Sequence, residues 1–163
     1  MKLRPIYTVR FNYSKAEGVK LSGKNGIEEQ RYYAAEGTCE GEITGTMYGV
    51  NHPHRRTDET FQLDMQGVVK TNDSATIILD YQGYGAHRRP AEAKPRPGVE
   101  FTMPVVGFAR HLCESPKYSW LNDKVCGVAG EVRVPAGLTS ETVRPTDLRL
   151  VFSVAELVWE PVE

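Results

Sequence analysis

Apolar and polar residues alternate along most of the chain with a period of two. In ETFQLDMQGVVKT, residues 59–71, the side chains of Phe61, Leu63 and Met65 point to one side and the polar ones to the other. Because successive side chains of a β-strand point to opposite faces, this pattern predicts a strand with one buried face. The pattern recurs at residues 3–13, 41–50, 75–83, 98–109, 124–134 and 147–159. We expect these seven strands and one or two weaker ones near residues 19–36.

Signals for helices are weak. No stretch combines apolar residues at i, i+3, i+4 and i+7 with a credible cap, and we interpret EEQRYYAAE, residues 28–36, as a strand. Many strands separated by turn-forming residues, such as Asn72-Asp73-Ser74, are typical of an antiparallel barrel or sandwich. The proline-rich, basic stretch at 86–98 reads as a surface loop between two strands. With no repeat or long linker, we expect a single all-β domain over residues 1–163.

Composition and charge narrow the possible functions. The formal net charge is −1 and the basic residues are scattered, which argues against a nucleic-acid-binding protein. The first residues lack the apolar core of a secretory signal, and no apolar run approaches the roughly 20 residues of a membrane span. Cys39, Cys113 and Cys126 are too widely spaced for a disulfide framework. We expect a cytoplasmic protein that binds neither nucleic acid nor membrane.

Two predicted strands carry polar side chains in phase on one face. Asp64 is flanked by Gln62 and Gln66, and Asp80 precedes Gln82 by two residues. A barrel of about eight strands has room inside for side chains or for one small ligand. If this polar face points inward, it lines a cavity; if it points outward, these residues are simply solvated. Periodicity leaves both alternatives open.

The stretch NHPHRR, residues 51–56, concentrates candidate chemistry. A pair such as His52 and His54 on a strand projects both imidazoles to one face, which suits a metal, but zinc needs further ligands. The residues available as a third ligand are His87, His111, Glu40 and Asp64. None of them lies at a diagnostic spacing, so we predict no bound metal.

We interpret this stretch instead as the rim of a pocket, with a surface loop of no role as the alternative. Pro53 removes a backbone donor and so predicts an edge, a bulge or a loop. The two histidines can transfer protons near neutral pH, and Arg55 or Arg56 can hold an anionic group of a substrate. A desolvated carboxylate could act as a base. The candidate catalytic residues are Asp64, Asp80, His52 and His54.

Aromatic residues suggest where a ligand would lie. Trp120 and Asn122 lie two residues apart, so on an extended strand they share a face with Tyr118. They form either an aromatic wall with an amide that orients a ligand, or a core tryptophan and an asparagine that completes a turn. Tyr81 and Tyr84 either line the pocket or cover a barrel end. We include Arg56 with these five residues as candidates for substrate binding.

Four stretches resemble a bacterial and fungal family catalogued as domain of unknown function 3237. The distinctive one is KYSWLNDKVCGVAG, which contains Tyr-x-Trp-Leu-Asn before a small-residue strand. The four stretches are, in chain order, residues 36–50, 63–77, 80–85 and 117–130. The resemblance covers roughly residues 36–155 and implies a small, lipocalin-like antiparallel β-barrel of about eight strands. It implies no settled reaction.

The resemblance also places particular residues. Cys39 falls where the family has phenylalanine, and Glu40 and Asp64 fall on its glutamate and aspartate, so Glu40 joins the candidate substrate-binding residues. The chain departs from the family pattern at GVNHPH, residues 49–54, and at HLCE, residues 111–114. These departures suggest that this member has its own ligand.

The sequence therefore favours a cofactor-independent acid/base enzyme, an isomerase, cyclase or lyase acting on a small, largely apolar molecule inside a β-barrel. Nucleotide-binding and serine-hydrolase motifs are absent, and we predict no cofactor. His111 and Cys113 would share a strand face, which leaves a nucleophilic dyad open. The alternative is a non-catalytic carrier or sensor. We also expect a homodimer, since two-fold assemblies are common.

Overall fold

The computed structural model describes residues 1–58, 60–86, 97–139 and 142–161, apart from the side chains of Ala86 and Phe101. These ranges form nine β-strands and two short 3₁₀ helices, Ser119–Leu121 and Pro145–Asp147, and contain no α-helix. The strands are β1 (Lys2–Gly23), β2 (Gly26–Gly41), β3 (Gly45–Asn51), β4 (His54–Arg55), β5 (Thr60–Thr71), β6 (Thr76–Ala86), β7 (Val99–Leu112), β8 (Cys126–Pro135) and β9 (Arg149–Val158). No helix in this part of the chain has the length and apolar character of a membrane span.

Hydrogen bonding closes the sheet into a barrel. The strands follow the order β1-β9-β8-β7-β6-β5-β3-β2, and β1 pairs again with β2, so the ring is complete. All pairings are antiparallel. The short β4 continues β3 beyond His52 and Pro53, and it pairs with the same neighbours, β2 and β5. The all-β antiparallel barrel of about eight strands expected from the sequence is confirmed, as is the interruption at Pro53.

The alternation in the sequence sets which side chains fill the barrel. On β5, Phe61, Leu63 and Met65 are buried, while Gln62 and Asp64 between them are exposed. With the same alternation along the other strands, most of the 28 buried residues of one hydrophobic cluster come from the inner faces of the strands. The barrel is therefore stabilised mainly by apolar burial on its concave side.

One end of the barrel is filled. Ile43, Ile77 and Leu121 lie at the end where β1 and β3 begin, and at most 1% of their surface is exposed. Leu121 belongs to the 3₁₀ helix in the connection between β7 and β8, and this connection crosses the end of the barrel.

The other end is hollow because the strands there have unequal lengths. Phe11 on β1 pairs with Leu150 near the start of β9, and beyond Phe11 the strand β1 pairs with β2 as far as Gly23. The weak strands expected near residues 19–36 correspond to the end of β1 and to most of β2, which together form a long hairpin. The connection between β6 and β7 was expected to be a loop, and its residues 87–96 lie outside the described residues.

Candidate functional site

A cavity of about 860 Å³ opens at the hollow end of the barrel. Apolar side chains make most of its wall, and a few polar ones reach into it. Its lining comprises Tyr13, Arg31, Tyr33, Asn51, Pro53, Arg55, Phe61, Leu63, Glu100, Met103, Val132, Val134, Thr139, Val143, Arg144, Pro145, Leu148 and Leu150. This volume is within the range of pockets that hold small organic ligands.

Tyrosine and asparagine side chains form a polar group in the cavity wall. Tyr13 and Tyr33 are buried, and their rings lie 4.8 Å apart between centroids. Asn51 Nδ2 donates to Tyr13 Oη at 2.8 Å. Burial raises the pKa of Tyr13, against the opposing hydrogen bond from Asn51, so this phenol keeps its proton at neutral pH. These residues can orient a ligand by hydrogen bonding.

A cluster of charges lies beside this polar group. Arg31 donates to Tyr33 Oη at 2.8 Å and also binds the carboxylate of Glu29. Lys20 and Arg55 lie 3.8 and 3.7 Å from the same carboxylate. Burial alone would raise the pKa of Glu29, but the hydrogen bond and charge of Arg31, with the other two cations, lower it overall. Glu29 is therefore an anion at neutral pH and holds Arg31 against Tyr33.

The stretch at residues 51–56 contributes to the cavity through alternate residues. Asn51, Pro53 and Arg55 line it, because the strand alternation continues across the interruption at Pro53. His52 and His54 point to the other face: His52 packs on the ring of Tyr32, with centroids 5.4 Å apart. His54 Nδ1 lies 3.9 Å from Glu28 Oε1, and Arg56 pairs with Asp58 at 3.2 Å. The predicted pocket rim is thus formed by the neighbours of the two histidines.

The polar strand faces point outward. Asp64 is exposed on β5, and Asp80 on β6 pairs with Arg110 at 2.6 Å. Glu40, on β2, is exposed and pairs with Arg10 at 2.8 Å. Of the two alternatives for these strands, the outward one is correct. A catalytic role for Asp64, Asp80, His52 or His54 would need a site on the outer surface, and it stays a prediction.

The residues around Trp120 lie at the filled end, far from the cavity lining. The expectation that Trp120 and Asn122 share a strand face is wrong, because residues 119–121 form a 3₁₀ helix. Asn122 bonds both the N–H and the C=O of Cys113, at 2.8 and 2.9 Å, and so completes a turn. Trp120 packs against the core under the guanidinium of Arg4, and Tyr118 donates to Asp73 at 3.1 Å.

The two remaining candidate tyrosines, Tyr81 and Tyr84, lie on opposite faces of β6. Tyr84 is 55% exposed on the outside, whereas Tyr81 is buried inside and packs against Phe152. Its hydroxyl lies over Gly83, where a Cβ atom would approach within 2.4 Å. Tyr81 borders a second void of about 20 Å³ below the main cavity.

The cysteines offer no nucleophile for the cavity. All three cysteines are described, buried and free of disulfides. The thiol that approaches His111 is Cys126, 3.9 Å from Nδ1, while Tyr7 Oη lies 2.9 Å from Nε2. Burial raises the pKa of Cys126 to about 11 and lowers that of His111 to about 4, so both are neutral at pH 7. Within the described chain, no three metal-ligating side chains cluster, and His87 lies outside it.

Sequence reasoning missed most of the polar residues that the structure brings together. Arg31 and Tyr33 lie on β2, in a region expected to hold weaker strands, and Tyr13 is the last residue of a run expected to form a clear strand. Glu29, Arg31 and Tyr33 alternate in phase with Ala35, which is buried in the structure. The sequence pattern could group these residues on one face of a strand, but it could not show that this face is the inner one.

Comparisons with solved structures show the same fold. A β-barrel-like protein from Acinetobacter baumannii AYE has a TM-score of 0.68 at 18% identity, with 95% of this chain and 94% of that chain covered. A protein of unknown function from Clostridium acetobutylicum has a TM-score of 0.71 at 12% identity, covering 97% and 100%. An enzyme from Penicillium herquei has a TM-score of 0.51 at 17% identity, covering 94% and 93%.

No curated protein matches the sequence significantly. The model of one protein family does match, over residues 1–144, which is most of the chain. This match confirms the resemblance seen in the sequence motifs. The chain belongs to the family described as protein of unknown function (DUF3237).

Proposed function

We propose that the protein is a cofactor-independent acid/base enzyme, an isomerase, cyclase or lyase, whose small and largely apolar substrate binds in the cavity. The observation that carries this proposal is the pair of Arg31 and Tyr33, in which a guanidinium donates to a buried phenol at the cavity wall. A phenol with a cation on its oxygen can release a proton and remain stabilised as an anion.

The surroundings of Tyr33 support a role for this residue in proton transfer. Burial raises the pKa of Tyr33, and the charge and hydrogen bond of Arg31 act against that rise. Tyr33 is therefore protonated at neutral pH and can donate its proton to an oxygen or carbon of the substrate. Arg31 stabilises the phenolate while it exists. The phenolate then takes a proton from another position of the rearranged substrate, so that the net number of protons is unchanged.

The apolar part of the cavity wall favours a substrate with an apolar body. Phe61, Leu63, Met103, Val132 and Leu150 face the space above the tyrosines. Two of the charged groups in the lining are held by carboxylates: Arg31 binds Glu29 and Arg144 binds Asp147. Similarity of fold to an enzyme from Penicillium herquei supports catalysis in such a barrel only by analogy.

The first experiment is native mass spectrometry of the purified protein, with metal analysis of the same sample. A co-purifying organic molecule would support the cavity as a binding site and identify its ligand class. One zinc ion per chain would instead contradict the cofactor-independent proposal. Any molecule found becomes the first compound tested for turnover.

Catalysis itself is tested by proton exchange. An apolar ketone that forms an enol readily, 2-tetralone, is incubated with the protein in D₂O, and loss of its α-hydrogen signals is followed by NMR. We expect exchange faster than in buffer. Tyr33→Phe keeps the ring and removes the acid, so we expect at least about a 100-fold loss of rate. Tyr84→Phe, on the outer face, is the matched control and should exchange at the wild-type rate.

A non-catalytic carrier is the alternative, and one observation favours it. No histidine is found among the described residues that line the cavity, and burial raises the pKa of both Tyr13 and Tyr33. A wall with few groups that titrate near neutral pH suits binding without chemistry. Tight binding of 2-tetralone with exchange no faster than in buffer would favour the carrier over the enzyme.

We also propose that two copies associate through the outer face of β6 and β7. Exposed apolar side chains cluster there, namely Ile78, Val106, Phe108 and Leu112. The ion pair of Asp80 and Arg110 crosses the same face. A face with one anion and one cation is complementary to itself, because a two-fold axis can place each charge opposite its counterpart.

A further inference from the structure

An asparagine in the cavity wall has a polar atom without a partner. Asn51 is 3% exposed, and its Oδ1 atom accepts no hydrogen bond from the described residues. Leaving a buried polar group unpaired is unfavourable, because the group gives up its hydrogen bonds to water and gains none in return. Such a group in a native structure calls for an explanation, and one explanation is a ligand that supplies the missing donor.

The surroundings of Asn51 decide which atom is left for a ligand. Its Nδ2 donates to Tyr13 Oη at 2.8 Å, so the amide is held with its nitrogen toward Tyr13. Asn51 and Tyr13 both line the cavity, and Oδ1 itself is covered by its neighbours, so a ligand donor reaches it when a neighbouring side chain shifts. Tyr81 Oη is the other unpaired buried atom among the described residues, but it borders a void of about 20 Å³, which is too small for an organic ligand.

We propose that Asn51 is a specificity-determining residue, whose Oδ1 accepts a hydrogen bond from an O–H or N–H group on the deep end of the ligand. The inference rests on the proposed function, because it requires that the cavity bind a small molecule. It adds the chemical class: a flat, apolar molecule with a hydrogen-bond donor at one end. A carbonyl oxygen only accepts, so a molecule whose polar groups are all acceptors leaves Oδ1 unpaired.

The flat shape follows from the aromatic side chains around the amide. Tyr13 and Tyr33 lie beside Asn51. The guanidinium carbon of Arg31 lies 5.1 Å from the centroid of the Phe61 ring, over its face. Aromatic faces favour stacked or edge-on contacts with other planar groups. The donor then reaches Oδ1 while the apolar body occupies the wider part of the cavity.

Two fluorescent probes that differ in one donor test this inference. 2-Phenylindole has an N–H and no comparable acceptor, and 1-methyl-2-phenylindole has a methyl group in its place. Binding of each is measured by fluorescence titration. We expect wild-type protein to bind 2-phenylindole about tenfold more tightly, since one hydrogen bond contributes roughly 1.4 kcal/mol.

Variants then assign the preference to Asn51. In Asn51→Ala we expect the two probes to bind equally, or the methylated one more tightly, because the acceptor is gone and space is gained. Asn12→Ala, the same change at an exposed position of β1 outside the cavity lining, is the matched control and should keep the tenfold preference. Circular dichroism of each variant shows whether the barrel is intact. The ratio of the two probe affinities in the wild-type protein is measured without relying on any variant.

The outcomes separate the two proposals. Equal affinity of wild type for both probes overturns the inference about Asn51 and leaves the cavity as a binding site. Failure of wild type to bind either probe overturns the inference together with the proposed function of the cavity. A preference that survives in Asn51→Ala would mean that another group accepts the hydrogen bond, and the assignment to Asn51 would be wrong.

Discussion

At the scale of single residues, burial controls the chemistry of His111. Of the described histidines, His111 alone lies inside the barrel, and burial lowers its pKa from an ordinary 6.5 to about 4. Its ring is edge-on to Tyr7, with centroids 5.8 Å apart. The neutral imidazole of His111 is part of the core. It makes stability depend on pH, because the same side chain takes up a proton more readily in the unfolded chain.

This shift predicts how stability depends on pH. As the pH falls below about 6.5, His111 of the unfolded chain takes up a proton while the folded chain resists until about pH 4. The free energy of unfolding should therefore fall over this window, by at most about 3 kcal/mol from this residue. Urea unfolding at pH 7, 6, 5 and 4.5 measures it. In His111→Gln the fall should be smaller, whereas His52→Gln should behave like wild type.

The stretch NHPHRR shows which side chains the sequence could not assign to the cavity. In NHPHRR the histidines attract attention because of their chemistry, yet the cavity receives Asn51, Pro53 and Arg55. Alternation determines which residues share a face, but it does not reveal which face is concave. The structure shows which face is concave, because Asn51 pairs with Met65 on β5 and Met65 is buried.

At the scale of elements, the alternating strands were predictable and the turns were less so. Runs such as residues 147–159 became strands because their apolar face meets a core. The segment around Trp120 was expected to be extended, but backbone bonds from Leu121 to Tyr118 and from Asn122 to Ser119 wind it into a 3₁₀ helix. Such local bonds leave no periodic trace in a short sequence.

Asn122 provides a test of how this connection is held. Replacing it with alanine leaves the N–H and C=O of the Cys113 backbone without their side-chain partner. We expect Asn122→Ala to lower the free energy of unfolding by about 2 kcal/mol, within the range for unpaired buried groups. Binding of 2-tetralone should be unchanged, because Asn122 lies at the filled end. A variant of normal stability that fails to bind would restore the ligand role predicted from the sequence.

The contact between β6 and β7 gives a second prediction at this scale. A Cβ atom on Gly107 would lie 2.2 Å from the Gln82 carbonyl oxygen and 2.9 Å from the Tyr81 ring. Gly107→Ala must therefore displace the strand or the ring, and we expect a loss of about 1–3 kcal/mol on thermal or urea unfolding. At Gly23 nothing lies within 4 Å of such an atom, so Gly23→Ala is the matched control. Equal stability of the two variants would contradict the close approach.

At the scale of the whole molecule, closure into a barrel could be inferred from the number of strands and from family motifs. The depth of the cavity could not, because it depends on β1 and β2 running past the start of β9. Apolar residues of the hairpin such as Val19 and Leu21 are exposed, so they break the alternation of buried apolar and exposed polar side chains. The sequence pattern therefore did not predict how far the two strands extend.

The outer face of β6 and β7 leads to a prediction about assembly. Light scattering after size-exclusion chromatography should give a mass near twice the 18.2 kDa of one chain. Introducing charge with Val106→Glu and Leu112→Glu together should shift the protein to the single-chain mass. Tyr48→Glu, at an exposed position on β3, serves as the control and should remain dimeric. A wild-type mass of one chain would rule out the dimer at that concentration.

The filled end of the barrel has a consequence for kinetics. With Ile43, Ile77 and Leu121 sealing one end, the described residues leave the hollow end as the route for both entry and exit. In the proposed enzyme, a product must then clear this passage before the next substrate can occupy it. In steady-state measurements, added product should raise the apparent KM and leave kcat unchanged. Release of product along that shared passage would set an upper limit on turnover.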